Sequence, residues 1–292
     1  MANPVCISPL KFYDDYKKQS RYKSYAYGHV MSVITPLAHI PAFQFVVESL
    51  GGTYYLATAY IRNLDNQRIS GDISTVLTET GFSIIKNETY YVAVYKDLMP
   101  ANLVSNEGKY YLELYITTPQ GQRQFFSEVF CATNSLSDCL RIEYWNSGNC
   151  SFYLKKGEII FPDNFRFKLY LKSELGKPEY EFEEEATKRL GYTFVESQVS
   201  KKVYKFNTVV PEFLCDAMRI IRLCSDKVIY SGDEQYDAIT FEIETEWQTQ
   251  GDLASITCTF ETDNIITNLG GFVPELRGGD YNIDYNNDFD NS

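Results

Sequence analysis

Between residues 203 and 262 the apolar positions change period twice, from strand to helix and back to strand. Phe213, Leu214, Ala217, Met218, Ile220, Ile221 and Cys224 recur at helical spacing and give one broad apolar face. Pro211 and Glu212 precede them. A first-turn proline forfeits only an N–H that has no helical partner, and a carboxylate there meets the positive end of the dipole. Arg219 and Arg222 lie toward the other end, where positive charge is favoured. The pattern predicts a helix over 211–224.

The next segments have period two. Val228 and Tyr230 begin a strand, and Ser231-Gly232-Asp233 is a turn signal. Ile239, Phe241, Ile243, Thr245 and Trp247 then alternate with Thr240, Glu242, Glu244 and Glu246. Ala254, Ile256, Cys258 and Phe260 alternate with Ser255, Thr257, Thr259 and Glu261. An apolar face backed by a polar one is the mark of an antiparallel sheet with one wet side. The expectation is a β meander with the helix packed on its apolar face.

Upstream, residues 42–132 read as about seven short strands with no helix pattern. Phe43–Val47 and Thr53–Ile61 flank Gly51-Gly52, a hairpin signal. Ile73, Val76 and Leu77 belong to a weaker segment, and Phe82–Ile85 and Thr89–Tyr95 follow. Tyr110, Leu112, Leu114 and Ile116 alternate with Tyr111, Glu113, Tyr115 and Thr117, and Phe125–Phe130 returns after Pro119-Gln120-Gly121. Such spacing suits a β-sandwich of immunoglobulin-like size, without the Cys–Trp–Cys hallmark. The fold class expected is therefore mainly β, with two antiparallel β domains: an N-terminal sandwich and a C-terminal β meander with one packed α-helix. The divisions are an N-terminal arm at 1–40, the sandwich at 41–135, the second domain at 136–268 and an acidic tail at 269–292. The boundary falls in the short polar run 133–140.

Three stretches lie outside this pattern. The arm is aromatic, with Tyr13, Tyr16 and Tyr22 among Lys11, Lys17, Lys18, Arg21 and Lys23. It reads either as a solvated arm or as a basic patch for nucleic acid or an acidic partner. Six glutamates fall within 174–185. A cation site or an acid–base pair is the sharp reading, with Glu179, Glu181 and Glu183 the first to test; a solvated acidic loop is the plain one. The tail from Asp280 carries four Asp and four Asn in thirteen residues, with Tyr281, Tyr285 and Phe289 spaced four apart. Rings in that arrangement suit docking on a partner.

Composition narrows the chemistry. The 292-residue chain carries a formal net charge of −12, which argues against duplex nucleic acid as the main partner. Aromatics make up 15%, with 24 Tyr. That abundance suits protein–protein contacts and carbohydrate stacking alike. The seven cysteines show no zinc spacing, and buried reduced thiols are expected. Residues 1–19 hold no long apolar run behind positive charge, so no signal peptide is expected. No apolar run reaches the length of a membrane span. There is no GxGxxG, Walker loop, GxSxG or HExxH. Only His29 and His39 are on hand for a nucleophile–histidine site. No catalytic residue, metal or cofactor is expected, and the chain is read as a non-enzyme.

Several strings carry a resemblance. They are the acidic segment Ser173–Glu184, Gly191-Tyr192, Tyr204-Lys205-Phe206, Pro211–Arg219, Trp247–Ala254 and Phe260-Glu261-Thr262-Asp263. Over about residues 140–270 the chain resembles a family of virion structural proteins of phages and prophages of Bacteroides-type bacteria, crAss-like phages included. The resemblance implies a virion component of the tail, neck or baseplate, assembled in the host cytoplasm. It implies a ring- or connector-forming subunit whose partners are further copies of itself and neighbouring virion proteins. The residues expected at such interfaces are Tyr13, Tyr16, Tyr22, Tyr281, Tyr285 and Phe289. The alternative is a carbohydrate- or receptor-binding module of the virion.

Overall fold

The computed structural model describes residues 8–22, 32–48, 54–81, 83–86, 90–95, 105–147, 150–154, 157–161, 166–189, 192–247 and 253–269. Strands β1 (Phe12–Tyr13), β2 (Val33–Pro36), β3 (Phe43–Glu48) and β4 (Tyr55–Asn63) precede a short helix, α1 (Ser74–Gly81). Then come β5 (Ser83–Lys86), β6 (Tyr90–Tyr95), β7 (Gly108–Thr118), β8 (Gly121–Ser127) and β9 (Phe130–Thr133). Next are β10 (Cys139–Trp145), β11 (Cys150–Leu154), β12 (Gly157–Phe161) and β13 (Phe167–Lys172). A long hairpin, β14 (Glu179–Arg189) and β15 (Tyr192–Pro211), leads into α2 (Glu212–Leu223). The last strands are β16 (Asp226–Ser231), β17 (Glu234–Asp237), β18 (Glu242–Trp247), β19 (Leu253–Glu261) and β20 (Ile266–Leu269). The chain is mainly β.

Ten strands form one sheet, ordered β1-β8-β7-β9-β2-β13-β10-β16-β17 with β4 also on β7. A five-stranded sheet runs β14-β15-β19-β18, with β20 on β15. β3-β6-β5 and the hairpin β11-β12 make two small sheets. Residues 237–263 tie the two larger sheets together. The amide of Asp263 donates to the Asp237 carbonyl at 3.3 Å and that of Ile239 to the Glu261 carbonyl at 2.9 Å, while Ala238 and Thr262 form an isolated antiparallel bridge. Buried side chains from Leu10 to Phe260 belong to a single core cluster. Burying such side chains drives folding, at about 1.5–3 kcal/mol for each large aliphatic one.

α2 follows its sequence pattern closely. Pro211 is its N-cap residue, and Phe213, Leu214, Ala217, Met218, Ile220 and Ile221 are buried against β15, β18 and β19. Its C-terminal carbonyls meet a buried lysine: Lys227 Nζ donates to the Cys224 carbonyl. A cation there suits the negative end of the dipole, while burial pushes the Lys227 ammonium pKa below its ordinary value.

In other places pairing differs from the expectation. The strands flanking Gly51-Gly52 do not pair with each other: β3 pairs with β6, and β4 with β7. Residues 74–81 form a helix within the stretch read as strands only. β16 leaves the expected meander for the large sheet, where it pairs with β10. The acidic run from Glu179 is strand β14, and its partner β15 supplies the backbone pairing. The large sheet also continues past residue 135: β2 lies parallel to β9 on one side and antiparallel to β13 on the other. Segments of the expected arm, β1 and β2, are strands of that sheet.

Candidate interaction surface

Past Val203, where β19 ends, the β14–β15 hairpin continues with β20 beside it on Ser197–Ser200, and its described side chains are mostly exposed. β15 has 20 residues, a span of roughly 66 Å at the usual strand rise. Its C-terminal half is held by β19 in register from Val203↔Glu261 to Pro211↔Leu253. There Tyr204, Phe206, Thr208 and Val210 face the core and are buried. Its N-terminal half pairs with β14, from Glu179↔Val203 to Arg189↔Tyr192. A bulge between Glu185 and Ala186 interrupts that ladder.

Because side chains alternate, the face that is core at Tyr204 continues along the hairpin as Lys202, Tyr180 and Phe182. There the core has ended. Tyr180 is 58% exposed and Phe182 75% exposed. The opposite face carries Glu179, Glu181 and Glu183, all exposed. Lys205 Nζ reaches Glu179 at 2.7 Å and Lys201 Nζ reaches Glu183 at 2.6 Å. These carboxylates raise the pKa of both lysines by hydrogen bonding to their charged forms. The three glutamates thus lie along one face of a strand, Glu179 and Glu183 paired with lysines, rather than around a cleft. Among the described residues no group of three or more His, Cys, Asp or Glu side chains is placed to hold a metal.

At the root of the hairpin the β13–β14 connection crosses β15. The Gly176 amide donates to the Lys205 carbonyl at 2.9 Å, and Ser173 Oγ to the Asn207 carbonyl at 2.7 Å. A Cβ on Gly176 would lie 2.9 Å from that Lys205 oxygen, so the crossing needs glycine. Between this connection, β15 and β17 lies an open cleft of about 730 Å3. The Tyr204 and Tyr236 rings lie in it with centroids 4.8 Å apart. Tyr236 donates its hydroxyl to the Glu234 carboxylate, and that bond, with burial second, pushes its pKa up to about 12.

Of the expected interface residues, Tyr13 lies on β1, and Tyr16 and Tyr22 lie just after it. Tyr13 is buried, and its hydroxyl donates to Glu128 Oε1 at 2.6 Å. Tyr16 and Tyr22 come together edge to face at 5.6 Å, and Tyr16 also meets Phe126 at 5.7 Å. Tyr22 is 46% exposed, with the Arg21 guanidinium 4.6 Å from its ring centroid. Tyr281, Tyr285 and Phe289 lie outside the described residues. His39 is half-buried with Nδ1 3.1 Å from the Leu37 carbonyl oxygen, and His29 lies outside the described residues. Cys131, Cys139, Cys215, Cys224 and Cys258 are free thiols. Burial pushes Cys215 up to about 11 and Cys258 higher still. Cys6 lies outside the described residues, as does the side chain of Cys150.

Sequence reasoning passed over Tyr180 and Phe182. The signal was there: Glu179-Tyr180-Glu181-Phe182-Glu183 is strict period two, the spacing of a strand with one acidic and one aromatic face. Among the described residues no helix is long and apolar enough to cross a membrane. No protein-family model matches the chain, and comparison with curated proteins and with solved structures returns no match.

Proposed function

We propose that this chain is a structural subunit of a phage virion, a ring- or connector-forming component of the tail or neck region. It acts through protein–protein contacts and is assembled in the host cytoplasm, with copies of itself and neighbouring virion proteins as partners. The observation that carries this reading is the projecting hairpin with its exposed Tyr180 and Phe182. Exposed apolar rings grouped on a rigid ribbon are costly to leave in water, and such patches mark interaction sites. The distinctive strings at Ser173–Glu184 and Pro211–Arg219 that resemble virion proteins are used in the same region, in the hairpin and the helix that follows it.

A ribbon reaching out from one face, to dock on a different face of the next copy, suits the heterologous contacts that close rings by rotation. No catalytic step is assigned to the chain. The test is the native mass of the purified protein at two salt concentrations, alone and with co-expressed virion proteins, for wild type and Phe182→Asp. A closed oligomer in the wild type that falls to smaller species in Phe182→Asp is expected. A wild type that stays monomeric under all these conditions sinks the proposal, as does an oligomer indifferent to Phe182→Asp.

A further inference from the structure

The cleft at the root of the hairpin has no part in the assembly reading, and its chemistry points to a ligand. Its walls set Lys177 and Lys202 against Glu234, Asp237 and Asp263. Two cations facing three carboxylates leave no strong field of either sign, so a polyanion and a metal ion each meet like charges. The polar walls equally disfavour a purely apolar guest. Aromatic surface is nonetheless at hand. Tyr180 stands directly opposite Lys202 in register, with Lys202 Nζ 5.9 Å from its ring centroid, so an exposed ring borders the rim. Tyr236 lies within, its orientation set by its bond to Glu234.

A second observation concerns Thr262, which lines the same cleft. It is only 4% exposed, and its hydroxyl finds no hydrogen-bond partner among the described residues. A buried hydroxyl without a partner is a cost that a bound polar group removes.

We propose that this cleft binds a neutral, hydroxyl-rich ligand of the saccharide class. A sugar offers hydroxyls that donate and accept at once, together with an apolar C–H face. The carboxylates of Asp237 and Asp263 accept from its hydroxyls, and the ammonium of Lys202 donates to them. The Thr262 hydroxyl completes its bonding on the ligand, and the ring of Tyr180 takes the C–H face. The cleft's size lies within the range of small-molecule sites. Tyr180 serves in both readings, and two other substitutions separate them: Asp237→Asn is expected to weaken ligand binding and leave the oligomer mass unchanged, and Phe182→Asp to do the reverse.

The test is a titration of the full-length protein, followed by amide NMR shifts and by calorimetry. The probes are maltohexaose, cellohexaose, mannohexaose, chitohexaose and a sulfated oligosaccharide. At least one neutral probe is expected to bind saturably and to shift the backbone amides of Gln235, Thr262 and Asp263. Asp237→Asn and Tyr180→Ala, both at exposed positions, are expected to weaken that binding by about tenfold with unchanged thermal midpoints. Binding of no neutral probe overturns the proposal. So does binding of the sulfated probe alone, or neutral binding that moves other amides and ignores both substitutions.

Discussion

Glu113 on β7 is fully buried, yet four side chains hold it as a carboxylate. Arg62 Nε and Nη2 donate to it at 2.8 and 2.9 Å, Arg68 Nε at 3.0 Å and the Tyr115 hydroxyl at 3.1 Å. Gln124 Nε2 is the remaining donor. Burial alone pushes its pKa up, and the two arginines more than reverse this, so it sits below the ordinary value. A carboxyl depressed in the folded state contributes stability that is present above its unfolded pKa, about 4.3, and is lost as pH falls through the folded value. Denaturant unfolding at a series of pH values is expected to show stability declining below about pH 4, with a shallower decline in Glu113→Gln. Glu113→Ala, which strands two arginines, is expected to cost about 3–5 kcal/mol by the same measurement at neutral pH. Little of this was legible. Tyr111 and Glu113 alternate with Tyr110 and Leu112 as a wet face would, and what covers them comes from residues 45 and 51 positions away. Period two reports alternation; it cannot report which long-range partners later bury the polar side.

Among the elements, α2 and β19 were readable because their burial is decided locally. Ala254, Ile256, Cys258 and Phe260 all reach 0% exposure, as their alternation implied. Met218→Ala is expected to cost about 2–5 kcal/mol, against a change within about 0.5 kcal/mol for the exposed Leu223→Ala, both read from chemical denaturation. Gly176→Ala tests the crossing over β15. Its new Cβ meets a backbone oxygen that has little room to yield, so a loss of about 1–3 kcal/mol is expected. The elements that misled are those whose place is set by distant pairing. α1 hides in Ser74-Thr75-Val76, residues with modest helix propensity, and its identity comes from packing on β4 and β6. β16 reads as the first strand of a meander, but Ile142↔Ile229 and its neighbours place it beside β10. The acidic strand β14 was masked by its charge: glutamate is a poor strand former, and here cross-strand lysines and a 20-residue partner hold it extended.

For the whole molecule, one core cluster and the ties at residues 237–263 imply that the two large sheets unfold as one unit. The two tryptophans make this measurable, since Trp145 lies on β10 of the ten-stranded sheet and Trp247 on β18 of the five-stranded one. With Trp145→Phe and Trp247→Phe, the remaining fluorophore reports one sheet at a time. The expected result is a shared unfolding midpoint that also coincides with far-UV circular dichroism. Separate midpoints would mean that the sheets are independent. A body that unfolds as one unit also lets a contact made at the hairpin position both sheets together.

The seat of β2 also has a meaning in time. Residues 33–36 are made well before their neighbours, β9 at 130–133 and β13, touched at Tyr170. At ribosomal speeds of about 5–20 residues per second, this strand waits several seconds with both flanks open, while the β14–β15 hairpin closes as soon as it emerges. A chain cut short before residue 167 never covers the far side of β2 and leaves an exposed strand edge, the kind that recruits other nascent chains. Early termination is therefore the failure that leaves the most strand edge open, and the completed chain carries that edge already sealed.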